Sequence, residues 1–190
     1  MEANYRLFLA INLEKRAKQV LGSYILELAQ PLQPAKPTWV NAELLHISVH
    51  FFGEVNQSMK NELDLTLASF NGKFAAASIK SGGLAYLPSP RNPRVMCVDA
   101  SFDPPSSIQD LVREAKSLAV SVGASIEDRP WRGHITLARL KSPYAPPLAA
   151  LPAPPCFEFR PKSFDLMLSE LRPTGPLYTV LSSYEFARQY

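Results

Sequence analysis

The chain has 190 residues, 46% of them hydrophobic and 19% charged, with a formal net charge of +3, which is the composition of an ordinary globular protein. Only two cysteines and three histidines are present, with no CxxC pair, so a metal cluster and a disulfide framework are excluded as organising principles. No Lys/Arg run marks a nucleic-acid tail, and no apolar run approaches the roughly 18 residues of a membrane helix. The opening residues lack the basic start and apolar stretch of a signal peptide, so a cytoplasmic location with free thiols at Cys97 and Cys156 is expected.

Residues 5–13 alternate: Tyr5, Leu7, Leu9 and Ile11 on one face, Arg6, Phe8, Ala10 and Asn12 on the other, which predicts a strand. Leu13, Ala17, Val20, Leu21, Tyr24, Ile25 and Leu28 then form one helical stripe, ended by Pro31, Pro34 and Pro37. Alternation returns over 44–52, with Leu45, Ile47, Val49 and Phe51 facing one way and His46, Ser48 and His50 the other. Met59, Leu63, Leu67 and Phe70 predict a helix, and residues 74–87 a hairpin turning at Gly82-Gly83. A strand over 94–100 follows, then a helix capped by Asp103, striped by Ile108, Leu111, Ala115, Leu118 and Val122, and stopped at Gly123. Residues 132–140 read as another strand, with His134 and Thr136 opposite Ile135 and Leu137. A stretch with seven prolines over 143–161 reads as a loop. Two strands, 164–171 and 177–186, close the chain around Pro173-Thr174-Gly175-Pro176.

The order strand, helix, histidine-bearing strand thus occurs twice. Arg94 follows Tyr5 by 89 positions and His134 follows His46 by 88. We read residues 1–190 as one two-lobed domain with an internal duplication, half-units 5–52 and 94–140, each offering one histidine to a shared cleft.

Both histidines sit in the pattern histidine-apolar-hydroxyl-apolar: His46-Ile47-Ser48-Val49 and His134-Ile135-Thr136-Leu137. At ordinary composition a given histidine meets this pattern roughly one time in forty, so two of three by chance is on the order of one in several hundred. On a strand, residues i and i+2 share a face, so each histidine stands beside a hydroxyl. Two such pairs across a cleft suit a phosphodiester. Hydroxyls hold the non-bridging oxygens, while one imidazole takes a proton from water and the opposite imidazolium protonates the leaving oxygen.

With these motifs the chain resembles the 2H phosphoesterase superfamily, specifically its RNA 2',3'-cyclic phosphodiesterases, once called 2'-5' RNA ligases. The likeness covers almost the whole chain. It includes the opening strand from Arg6 to Ile11, the segment from Trp39 to Val55, Pro88-Ser89-Pro90-Arg91, the segment from Arg129 to Arg139, and the closing Ser169-Glu170-Leu171 with Gly175-Pro176 and Tyr178-Thr179-Val180. The resemblance implies a bilobal, pseudo-twofold α+β fold, with two antiparallel sheets around a central cleft and helices outside. It also implies hydrolysis of a 2',3'-cyclic phosphate at an RNA end to a 2'-phosphate, with no metal and no cofactor. His46 and His134 match the family's catalytic positions, and Ser48, Thr136 and Arg139 its phosphate-binding ones. Strict alternation turns Arg139 away from the cleft, so a bulge or a strand end near Ala138 is required.

Two departures stand out. Ser48 replaces the usual threonine, keeping the hydroxyl but losing the methyl that stiffens χ1. His50 stands where the family often carries arginine, on His46's face by simple alternation, so His50→Arg is expected to tighten RNA binding. Phe8 and Trp131 are candidates for stacking on a terminal base, and Arg132 for touching phosphate. The expected partner is RNA with a cyclic phosphate end, or a cyclic nucleotide, with no membrane, and the chain is expected to act as a monomer. A 2'-5' RNA ligase running the reverse reaction, and a binding module without turnover, are the rival readings.

Overall fold

The computed structural model describes residues 4–126, 129–173 and 175–187. In chain order the elements are β1 (Tyr5–Asn12), α1 (Lys15–Ala29), β2 (Pro37–Trp39), β3 (His46–Val55), α2 (Gln57–Ala68), β4 (Ser78–Ser89), β5 (Asn92–Asp103), α3 (Pro105–Ser121), β6 (His134–Leu140), β7 (Glu158–Phe159), β8 (Ser163–Arg172) and β9 (Gly175–Glu185). The stripe expected of α1 is the stripe that buries: Ala17, Leu21, Tyr24, Ile25 and Leu28. Asn56 starts α2 by accepting a hydrogen bond from the Met59 amide at 2.9 Å.

The strands form one curled antiparallel sheet in the order β7-β4-β5-β6-β3-β1-β8-β9, with β2 lying against the end of β6. It divides into two four-stranded arcs, β7-β4-β5-β6 and β3-β1-β8-β9, which stay joined as one sheet where the resemblance implies two. They meet at one ladder pair, Ile47 with Ile135. β2 pairs with residues 138–140 beyond that point, so β2 and β3 share one edge of β6. One face of the sheet carries Leu7, Leu9, Ile11, Ile47 and Ile135 into a core shared with α1 and α3. That leaves the opposite face for His46 and His134.

Two further features follow from local chemistry. Gly123 takes φ +70° just past the end of α3, a left-handed conformation that favours glycine, so the expected stop signal is in place. The proline-rich stretch after β6 is held by hydroxyls. Tyr24 donates to the Pro152 carbonyl at 2.5 Å, Tyr86 to Pro146 at 2.9 Å and Ser81 to Pro155 at 2.9 Å. Prolines lack an amide hydrogen, so their carbonyls are the backbone groups left to tie down.

The structure corrects three expectations. Gly82-Gly83 is not a turn: β4 runs through it, and the register shifts between Ser81 and Leu84. The glycines form a bulge where the backbone passes close to Asp99, and the hairpin turns instead around Pro90-Arg91. Asp103 does not cap α3. It ends β5, Pro104 occupies the cap position, and Pro105 opens the helix. The proline-rich loop contains a strand, β7, on the edge of β4. The closing hairpin forms as expected, with Thr174 of its turn outside the described residues.

Gly133 is packed too tightly for a side chain: a Cβ there would lie 2.6 Å from the Ala100 carbonyl oxygen and 2.6 Å from the Phe102 ring. Gly133→Ala should therefore lower stability by about 1–3 kcal/mol, read as a reduced urea midpoint at unchanged slope.

Candidate active site

The site is built around the Ile47–Ile135 pair. Continuing that antiparallel register by one residue sets His46 across from Thr136 and Ser48 across from His134. The two isoleucines point into the core, so all four polar side chains emerge on the other face. All four are half-buried.

Each histidine is anchored in the same way. His46 Nδ1 donates to the Leu44 carbonyl at 2.7 Å, and His134 Nδ1 donates to the Arg132 carbonyl at 2.9 Å. A donating Nδ1 fixes the neutral tautomer and leaves Nε2 as the acceptor nitrogen. His46 Nε2 lies 3.2 Å from the Ser48 hydroxyl.

Both strands carry a bulge three residues after the histidine. In β3, Ser48 pairs with Ala10 and His50 with Leu9, leaving Val49 as the extra residue. In β6, Thr136 pairs with Cys97 and Ala138 with Met96, leaving Leu137 as the extra residue. Each bulge inverts the alternation beyond it. Arg139 is thereby returned to the face of His134 and Thr136, as its expected role requires. In the other lobe the same inversion brings Phe51 to His46's face, opposite Phe8, with the Arg6 guanidinium 4.8 Å from its ring centre.

The same bulge corrects the placement of His50. It shares the face of Leu9, not of His46, and is only 7% exposed. Its Nε2 lies 3.2 Å from the Ser125 carbonyl and its ring packs on Phe52 at 5.0 Å. A role in holding RNA does not fit that position. Trp131 is also used internally: its indole N–H donates to the Ser48 carbonyl at 3.0 Å and its ring packs on Phe102. Phe8 is 5% exposed and lies 5.1 Å from the His46 ring, a wall of the site rather than an open stacking platform. Arg132 reaches Asp99, which stands opposite His134 in the ladder, at 2.5 Å. Its charge is thus partly neutralised beside the site.

Several residues around the site lie outside the twin histidine motifs. Tyr178 of β9 packs edge-on against both Phe8 and His46, at 5.1 and 5.4 Å. Asn12 faces His46 across the β1–β3 ladder, and its amide donates to Asp165 at 2.7 Å. Asp165, 5% exposed, also accepts from the Ser183 hydroxyl at 2.5 Å. A lone carboxylate in the apolar run from Phe164 to Leu168 is the one available signal, since buried carboxylates need partners. Tyr178 lies in the closing segment that carries the resemblance, but neither it nor Asn12 is marked as a neighbour of His46, because that proximity comes from strand pairing.

Burial pushes the His46 imidazole below its ordinary 6.5. The Leu44 carbonyl opposes this, and the positive charges of His134, Lys18 and Arg139 push it further down. Lys18 is held for this by donating to the Glu43 carbonyl at 2.6 Å. Among the described residues no group of three or more His, Cys, Asp or Glu side chains is placed to hold a metal ion. A cavity of about 450 Å³ lined by Arg160, Lys162 and Phe186 contains neither His46 nor His134.

No protein-family profile matches the chain. The RNA 2',3'-cyclic phosphodiesterase of Thermus thermophilus is 30% identical over 200 residues, which cover 97% of this chain and 92% of the relative. The enzyme of that name from Thermotoga maritima is 27% identical over 186 residues, 95% of each chain. A crystal structure of a Thermus thermophilus protein matches with a TM-score of 0.79 at 26% identity, over 97% of this chain and 100% of that one. Escherichia coli LigT in complex with 3'-AMP matches with a TM-score of 0.80 at 24% identity, over 98% and 100%, and so shares the fold.

Two measurements test this description. In an NMR titration His46 should change charge below 6.5, and Lys18→Met should raise its midpoint, since losing a nearby cation favours the imidazolium; a wild-type midpoint at or above 6.5 excludes this electrostatic picture. His50→Arg should not tighten RNA binding but cost on the order of 3 kcal/mol of stability by placing a guanidinium in the core.

Proposed function

The chain belongs to the RNA 2',3'-cyclic phosphodiesterase family, and from that premise we propose that it hydrolyses the 2',3'-cyclic phosphate end of RNA to a 2'-phosphate without a metal. The observation that carries the reading is the matched anchoring of two imidazoles through Nδ1, on a face that also holds two hydroxyls and a guanidinium. One imidazole removes a proton from water as the water oxygen bonds to phosphorus. The bond from phosphorus to the 3' oxygen breaks, and the opposite imidazolium gives that oxygen its proton. Ser48, Thr136 and Arg139 hold the non-bridging oxygens, where negative charge grows.

The reaction requires the pair to carry one proton between them. The lowered pKa of His46 supports this arrangement near neutral pH, because the neighbouring positive charges oppose a second proton on the pair. The same reading treats 1–190 as one domain with duplicated units 5–52 and 94–140. Supporting it are the repeated strand-helix-strand order, the bulge three residues after each histidine, and the identical ring anchors. The reading places a monomer in the cytoplasm, which the free thiols of Cys97 and Cys156 suit.

The test is turnover of 2',3'-cyclic AMP, and of a short RNA with a cyclic phosphate end, in EDTA. Wild type should yield the 2'-phosphate, His46→Ala and His134→Ala should each lose about 10²- to 10⁴-fold in rate, and Arg139→Ala should lose about a hundredfold in kcat/KM. Binding without turnover would identify a binding module instead. The profile of kcat/KM against pH should be a bell whose acid limb falls below 6.5, because His46 takes up the second, inactivating proton only there. An acid limb above 6.5 would contradict the assignment.

A further inference from the structure

Beyond the face that holds the two histidines, charge is distributed unevenly. Residues 28–42, 81–98 and 129–157 contain seven lysines and arginines and not one aspartate or glutamate. The fold brings these segments together, because β2 pairs with the end of β6, β6 pairs with β5, and β5 forms a hairpin with β4. Five of the cations, Lys36, Arg91, Arg94, Arg139 and Lys141, are exposed at one end of this lobe, and none is in an ion pair among the described residues.

The cations have an order. Arg139 shares a ladder row with Thr38 and Val95 on the face of His134 and Thr136. Lys141 lies two residues on, about 7 Å along the chain, and its amide donates to the Lys36 carbonyl at 3.3 Å, so the two lysines are adjacent. Tyr144 follows, 61% exposed, on a loop whose amide is bonded to the Ser142 hydroxyl. The corresponding end of the other lobe is mixed in sign, with Glu54, Glu170 and Arg172 exposed and the last two paired with each other.

A row of such cations leading out of a phosphate site to an exposed aromatic ring is the arrangement that holds single-stranded nucleic acid. The cations neutralise successive phosphates and the ring stacks on a base. We propose that Lys36, Lys141 and Tyr144 form a track for the single-stranded RNA preceding the terminal nucleotide, so that the strand leaves the site over the second lobe and the preferred substrate is an oligonucleotide rather than a cyclic mononucleotide. This rests on the reading of Arg139 and the two histidines as the site of the reaction.

The experiment compares kcat/KM for 2',3'-cyclic AMP with that for a single-stranded RNA of about ten nucleotides ending in a cyclic phosphate. The comparison is made in the intact wild type, in Lys36→Gln/Lys141→Gln and in Tyr144→Ala. The double variant should lose about tenfold on the RNA and less than twofold on the mononucleotide, and its RNA rate should depend less steeply on salt, by roughly 0.7 in logarithmic slope per lysine removed. Tyr144→Ala should lose about fivefold on the RNA alone, the scale of one stacked base. Equal losses on both substrates, or an unchanged RNA rate and salt slope, overturn the track. Should wild type open neither substrate, the reaction reading fails by itself. The track is then judged by fluorescence anisotropy of the same RNA, where equal affinity of wild type and the double variant overturns it.

Discussion

The pairing of Ile47 with Ile135 is the constraint on which the rest of the site depends. It joins two arcs of sheet through one rung, and both side chains belong to the core. Any chain that buries these two residues must turn their neighbours outward. The histidines and hydroxyls are therefore brought to one face by the same apolar burial that stabilises the fold. Neither lobe holds both imidazole–hydroxyl pairs. The rung, the Trp131 bond to the Ser48 carbonyl and the pairing of β2 with β6 hold the lobes in place against each other.

The bulges complete what the rung begins. A strand with a strict period of two would put Arg139 on the core face, where a guanidinium has no partner. One extra residue at Leu137 restores it to the site while Ala138 fills the core. The extra residue at Val49 does the reverse for His50 and exposes Phe51. One geometric device thus gives a cation to one lobe and an aromatic ring to the other. The two sides of the site are alike in their anchored imidazoles and different in what surrounds them. That difference matches the charge asymmetry of the surface beyond Arg139.

Much of this architecture is legible in the sequence. Periodicity locates the main strands and the helices, because core burial and chain geometry act on short windows of chain. The twin motifs mark His46, Ser48, His134 and Thr136 for the same reason: spacing of two on a strand is a local property. What depends on pairing between distant strands is not legible. Simple alternation puts His50 on the wrong face because a bulge is a relation between two strands, and nothing in the run from His46 to Phe52 announces it. Gly82-Gly83 misleads similarly, since a glycine pair serves a turn and a bulge equally well and only the neighbouring Asp99 decides. Tyr178 and Asn12 reach His46 through β9 and β1, and no motif within either strand records that meeting.

The position of Trp131 has an optical consequence. The chain has only two tryptophans, and this one spans the seam, with its ring among residues of the second lobe and its N–H on the backbone of β3. An indole that gains or loses such a hydrogen bond changes its emission. With Trp39 replaced, the fluorescence of the remaining ring would report separation of the two lobes in solution, using a probe that the fold itself has installed next to Ser48.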